Sequence, residues 1–151
     1  MMQIVEIREN KKRYLELLLL GDEQESMIDR YLGHGALYVG FEDGEAVAVC
    51  AVTEESGGAL EIKNLAVAQG KQRCGLGREM LEYIEHAHSG RFRLLRLGTG
   101  ESPATLPFYE KCGFSVVGRI SNFFTDHYDH PIIEGGVLLR DMVILERSIK
   151  V

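Results

Sequence analysis

Between an apolar run ending at Val67 and an amphipathic segment beginning at Leu76 stands Gln72-Arg73-Cys74-Gly75-Leu76-Gly77-Arg78. Glycines at the start of a helix can make an anion site. The first helical amides have no intrahelical acceptor, the aligned peptide dipoles add partial positive charge, and glycine lets a ligand approach the backbone. A pyrophosphate is the natural guest, and Lys71, Arg73 and Arg78 would add charge for outlying phosphates. Gly77-Arg78-Glu79 lacks the ending of a Walker A loop, and Met80 occupies the third glycine position of the dinucleotide fingerprint. The pattern Q/R-x-x-G-x-G/A is met at Gln72, Gly75 and Gly77. By themselves these residues describe either a phosphate cradle or a plain glycine-containing helix start.

Two other constellations invite chemistry. Cys74 sits inside the loop, but no base stands near it in sequence, so it reads as a bystander thiol. Asp126-His127-Tyr128-Asp129-His130 places two histidines three apart, which is short of the three or four converging ligands a metal needs. No metal is expected. His86 and His88 fall at a helix end, where a cationic side chain suits the dipole.

The elements that must position these residues follow from periodicity. Residues 3–8 alternate as a strand, and residues 11–20 and 22–32 read as two helices punctuated at Gly21. Residues 37–41 and 46–52 are strands joined through Asp43-Gly44, a strong hairpin signal, and 60–67 is a further strand. A helix over 76–87, a strand over 94–98, a helix over 105–111 and strands over 114–120 and 137–149 complete the chain. Residues 125–131 read as a polar loop. The order β-α-α-β-β-β-α-β-α-β-β is mixed α/β (α+β), with one strand–helix–strand crossover around the glycine loop.

The chain of 151 residues suits one domain, expected to span residues 1–151. Its 17 Lys and Arg against 23 Asp and Glu give a formal charge of -6, which argues against a nucleic-acid partner. Three cysteines without a CxxC pairing read as free thiols. The first residues carry no secretion signal, and the apolar run 17–20 is too short to span a bilayer. A cytoplasmic protein without a membrane partner is expected.

The glycine loop resembles the coenzyme A pyrophosphate loop of the GNAT superfamily of N-acetyltransferases. A small apolar triplet, Leu65-Ala66-Val67, begins seven residues before Gln72, as in that superfamily. Downstream, residues 102–114 are similar to its N-x-x-A-x-x-F-Y-x-x-x-G-F segment. Phe108, Tyr109, Gly113 and Phe114 match, Ala104 is one place off, and Ser102 stands where the family has asparagine. A bacterial subgroup shares Gly98-Thr99-Gly100, Phe123-Phe124…His127-Tyr128 and Arg140-Asp141-Met142.

The resemblance implies a mostly antiparallel central sheet of about seven strands flanked by four helices. It implies acetyl transfer from acetyl-CoA, a co-substrate, to the primary amine of a small molecule by direct attack, without a metal. Tyr109 would then be the general acid for the leaving thiolate, unless its ring only packs behind the cofactor. Glu61, four residues before Leu65, is the base candidate, or else an outward strand carboxylate. The backbone of Leu65, Ala66 and Val67 would hold the pantetheine arm and supply an oxyanion donor. Amides of Gln72, Arg73, Cys74, Gly75, Leu76, Gly77 and Arg78 would hold the pyrophosphate, and Ser102 would help place the sulfur. Asp22, Glu23, Glu25 and Asp29, with the 125–131 loop, would give an acidic mouth for a cationic amine. Two alternatives stay open: a CoA-binding sensor that no longer acetylates, and acetylation of a protein amine. The long final strand is a candidate for a homodimer contact.

Overall fold

A computed structural model of the protein describes residues 2–149. Asp43 and Gly44 both take positive φ, 51° and 81°, the geometry of a two-residue hairpin turn. They join β2 (Ala36–Glu42) to β3 (Glu45–Glu55), and β1 (Gln3–Ile7) and β4 (Ala59–Val67) flank this pair in antiparallel register. β5 (Leu94–Gly100) lies parallel to β4, because α3 (Leu76–Ala87) carries the chain back between them. β9 (Met142–Ser148) pairs antiparallel with β5 on one side and with β6 (Ser115–Ile120) on the other. The sheet order is β1-β2-β3-β4-β5-β9-β6.

Helices cover both faces, which is why β3 is buried without alternation from Val47 to Thr53. On one face α3 and α4 (Leu106–Lys111) pack Met80, Leu81, Ile84 and Tyr109 against Leu60, Ile62, Leu95, Leu97 and Leu145. Arg147 clamps these helices to β9. It donates to Glu85 Oε1 at 2.8 Å and to the Cys112 carbonyl at 2.6 Å, with its guanidinium 5.1 Å from the Phe114 ring centre. On the other face a 3-10 turn (Lys11–Tyr14), α1 (Leu15–Gly21) and α2 (Glu25–Leu32) bury Leu18, Ile28, Tyr31 and Leu32 against Leu37, Val39, Val49 and Ala51.

The feature that makes a site is where β4 and β5 part. Their parallel pairing runs from Ala59↔Leu94 to Ile62↔Leu97. Beyond it, residues 64–67 stay paired with β3 and residues 98–100 with β9, and a wedge opens between the two strands. Lys63 is the extra residue of a β-bulge, since Val52 pairs with Ile62 and Ala51 with Asn64. The bulge shifts the phase of β4. Leu60 and Ile62 face α3, whereas Asn64 and Ala66 face α1 and α2.

Two expectations are corrected at the chain's end. The segment expected as a loop over 125–131 begins with a short helix, α5 (Phe123–His127), in which Phe124 and Tyr128 stack at i, i+4 over Ile132 and Leu139. The final strand is not continuous over 137–149. Gly135 and Gly136 at φ 57° and 77° fold β7 (Ile133–Glu134) onto β8 (Val137–Leu138) as a separate ribbon, and β9 starts only at Met142. Both edges of β9 are taken by β5 and β6. Among the described residues, no helix is long and apolar enough to cross a membrane.

Candidate active site

The glycine loop sits at the wedge's open end. Gln72 Nε2 donates to the Val67 carbonyl at 3.1 Å, folding the loop against the end of β4. Arg73 and Gly75 take left-handed φ of 65° and 82°, and α3 begins at Leu76. Its first i to i−4 bond runs from Glu79 N to Gly75 O at 3.0 Å, so the amides of Leu76, Gly77 and Arg78 precede the helical ladder. This is the positive end of the dipole of a twelve-residue helix.

The two glycines serve different ends. Gly75 has open space where a side chain would begin and is needed for its φ. A Cβ on Gly77 would lie 3.1 Å from Cζ of Phe108, so this glycine leaves room for the α4 aromatic ring. The basic side chains contribute less than the sequence implies. Lys71 Nζ lies 3.3 Å from Glu42 Oε1, and Arg78 Nη2 donates to the Lys111 carbonyl at 3.1 Å. Cys74 is exposed, with Sγ 3.7 Å from the Gln72 carbonyl.

Tyr109 lies on the α3 side of the sheet, 9% exposed, edge-on to Phe108 and Phe114 at 5.1 and 5.8 Å between centres. Burial pushes its phenol well above the ordinary value of 10, and Cys50 and Glu134 push it the same way. It therefore holds its proton throughout the physiological range. Ser102 is buried in the segment that leads from β5 into α4. Its Oγ accepts from Ala104 N at 2.9 Å and donates to Glu134 Oε1 at 3.2 Å. With these bonds it anchors the β7–β8 ribbon.

On the α1–α2 side the wedge opens into a cavity of about 410 Å³. Glu61, Ile62 and Lys63 of β4 and residues 98–100 of β5 form its floor. Asp22, Met27 and Tyr31 form one wall, and Phe124, Tyr128 and Glu134 the other. Glu61 is thus inside the site, but Lys63 Nζ stands 2.6 Å from its Oε2.

The walls are strapped together across the chain. Tyr128 OH donates to Asp22 Oδ1 at 2.6 Å, Tyr31 OH to Asp22 Oδ2 at 3.1 Å, and Asn64 Nδ2 to Tyr31 OH at 3.1 Å. Asp129 N donates to Gln24 Oε1 at 2.8 Å, and His130 Nε2 lies 3.1 Å from Glu23 Oε1. Desolvation raises the Asp22 carboxyl above its ordinary value, although bonds from Tyr128, Tyr31 and the Gln24 amide oppose that rise. His127 stacks on Phe123 at 4.6 Å. Among the described residues, no group of three or more His, Cys, Asp or Glu is placed to hold a metal. The acidic mouth keeps Asp22 and Glu23, whereas Glu25 and Asp29 are paired with Lys12.

A seven-stranded mixed sheet parted between two parallel strands, with a helix N-terminus at the parting, is the acetyltransferase fold that this chain shares with the following relatives. A family model for the GNAT acetyltransferase domain matches residues 33–116. An uncharacterised N-acetyltransferase of Bacillus subtilis strain 168 is 34% identical over 139 residues, 91% of this chain and 90% of that one. A GNAT family acetyltransferase from Elizabethkingia anophelis, whose crystal structure holds acetyl-CoA, is 32% identical at a TM-score of 0.91, covering 97% of each chain. A Bacillus subtilis acetyltransferase crystallised with CoA is 32% identical at a TM-score of 0.89, covering 99% of this chain and all of that one. The chain belongs to the GNAT acetyltransferase family. The matched residues contain β4, the glycine loop, α3 and α4, whereas Asp22 and Tyr128 of the cavity walls lie outside them.

Proposed function

We propose that the protein transfers the acetyl group of acetyl-CoA to the primary amine of a small, cationic molecule. The observation that carries this is the wedge, with an anion-binding helix start at its open end and a cavity containing unneutralised carboxylate on its far face. The amides from Arg73 to Arg78 hold the pyrophosphate, and the backbone of Leu65, Ala66 and Val67 holds the pantetheine arm along the open edge of β4.

An alkylammonium is neutral about once in a few thousand molecules at pH 7, so it must lose a proton before it attacks. Glu61 takes that proton through a water, and Lys63 fixes the orientation of the carboxylate. As the nitrogen bonds to the thioester carbon, an amide of Leu65 or Val67 donates to the oxyanion. When the carbon–sulfur bond breaks, Tyr109 gives its proton to the thiolate, and the nitrogen's second proton passes to solvent.

Glu61→Gln keeps the shape of the side chain and removes the base. It is expected to lower kcat/KM for the amine by about 10²-fold, with acetyl-CoA affinity unchanged. Titration of free thiol against amine concentration reads this. An unchanged rate would leave proton removal to a water chain alone.

A further inference from the structure

The carboxylate of Asp22 is held differently from that of Glu61 on the cavity floor, and both of its oxygens accept from tyrosine hydroxyls. Glu61 is held by Lys63, whereas every group bonded to Asp22 is neutral: the hydroxyls of Tyr31 and Tyr128 and the Gln24 amide. Those donors come from α2, from the residue after α5, and from the α1–α2 turn, so both oxygens are aimed by three separate parts of the chain. An ionised carboxylate offers about four lone-pair sites. Three are used, and one remains on a residue that lines the cavity.

Its place relative to β4 is equally constrained. Gly21 packs so closely on that strand that a Cβ there would lie 3.2 Å from the Leu65 carbonyl. Asp22, the next residue, is therefore carried to the segment of β4 where the strand edge opens. Beside Gly21 lies Asn64 Oδ1, a second buried acceptor, which has no hydrogen-bond partner. Holding a negative charge among neutral donors in a partly desolvated wall is unfavourable unless a cation completes the site.

We propose that Asp22, aimed by Tyr31 and Tyr128, is the specificity-determining anchor for the acceptor's ammonium group, selecting alkylammonium compounds over neutral ones of the same shape. The assignment rests on the reading of this cavity as the acceptor side.

Its test is calorimetric binding of phenethylamine, cationic at pH 7.5, and of phenethyl alcohol, its neutral counterpart, to the full chain. Wild type is expected to bind the ammonium at least about tenfold more tightly. Asp22→Asn, matched in volume, is expected to bring the two affinities together. Tyr128→Phe keeps the charge and the ring, and is expected to narrow the preference without abolishing it. No preference in wild type, or the same preference in Asp22→Asn, overturns the proposal. A merely structural role would weaken both probes equally and leave their ratio alone. If Asp22→Asn does not fold, a narrowed preference in Tyr128→Phe supports the anchor and an unaltered ratio there refutes it. Thiol release from acetyl-CoA, measured on the same samples, separates the two claims. A charge preference without turnover would refute acetyl transfer and retain the anchor, whereas turnover without the preference would do the reverse.

Discussion

Tyr109→Phe is expected to slow acetyl transfer by about 10²- to 10³-fold, with affinity for acetyl-CoA within about threefold of wild type. The substitution removes one oxygen and keeps the ring between Phe108 and Phe114, so packing is preserved. What it removes is a phenol whose proton is held firmly by burial. That direction also sets the pH dependence. An acid whose value is raised stays competent above pH 10, so the wild-type rate should show no loss from Tyr109 ionisation up to that point. Stopped-flow measurement of thiol release across pH reads both effects. Equal rates for the two proteins would reduce Tyr109 to a packing residue.

The second large effect is on stability. Gly21→Ala would place a Cβ 2.2 Å from Asn64 Oδ1 and 3.0 Å from its Cγ. The amide cannot simply turn away, because its Nδ2 donates to the Leu18 carbonyl at 2.9 Å and to Tyr31 OH at 3.1 Å. Either those bonds break inside the core or α1 lifts from β4. Overpacking and a lost buried bond each cost about 1–3 kcal/mol, whereas alanine's better helix propensity returns about 1 kcal/mol. The clash wins, leaving a net loss of about 2 kcal/mol and a fall in Tm of roughly 4–8 °C. Thermal unfolding reads it. In the double variant with Asn64→Ala the two losses should fall well short of their sum, because the obstructing amide is gone. Strict additivity would mean that the contact carries no strain.

The parts of the molecule legible in the sequence are those with local causes. Asp43-Gly44 dictates its hairpin by backbone geometry alone, and the amphipathic run from Leu76 to Ala87 became α3 with those boundaries. The place of the glycine loop between a strand and a helix was legible, but the close approach at Gly77 was not, because Phe108 reaches it from thirty-one residues away. At the chain's end a local signal existed and was outweighed. Gly135-Gly136 is a two-residue hairpin sequence, yet the apolar residues after it suggested one long strand. The bulge in β4 leaves a trace in the sequence, since Ile62 and Leu65 break strict alternation, but the face that Asn64 and Ala66 take is set by the helices packed on it. The cavity walls were the least legible. Asp22 and Tyr128 are 106 residues apart, and only the assembled sheet brings them to 2.6 Å. Acidic residues before Leu32 could be counted from sequence, but the one held in place by hydroxyls could not be singled out.

The central claim is acetyl transfer to an amine, and one measurement meets it directly. The purified protein is incubated with acetyl-CoA and a panel of primary amines, and the products are weighed by mass spectrometry while free thiol is titrated. The account predicts at least one alkylamine that gains the mass of one acetyl group, with thiol released in equal amount. Tight binding of acetyl-CoA with no acetylated amine, and thiol release no faster than hydrolysis, would contradict it and leave a CoA-binding protein without this reaction.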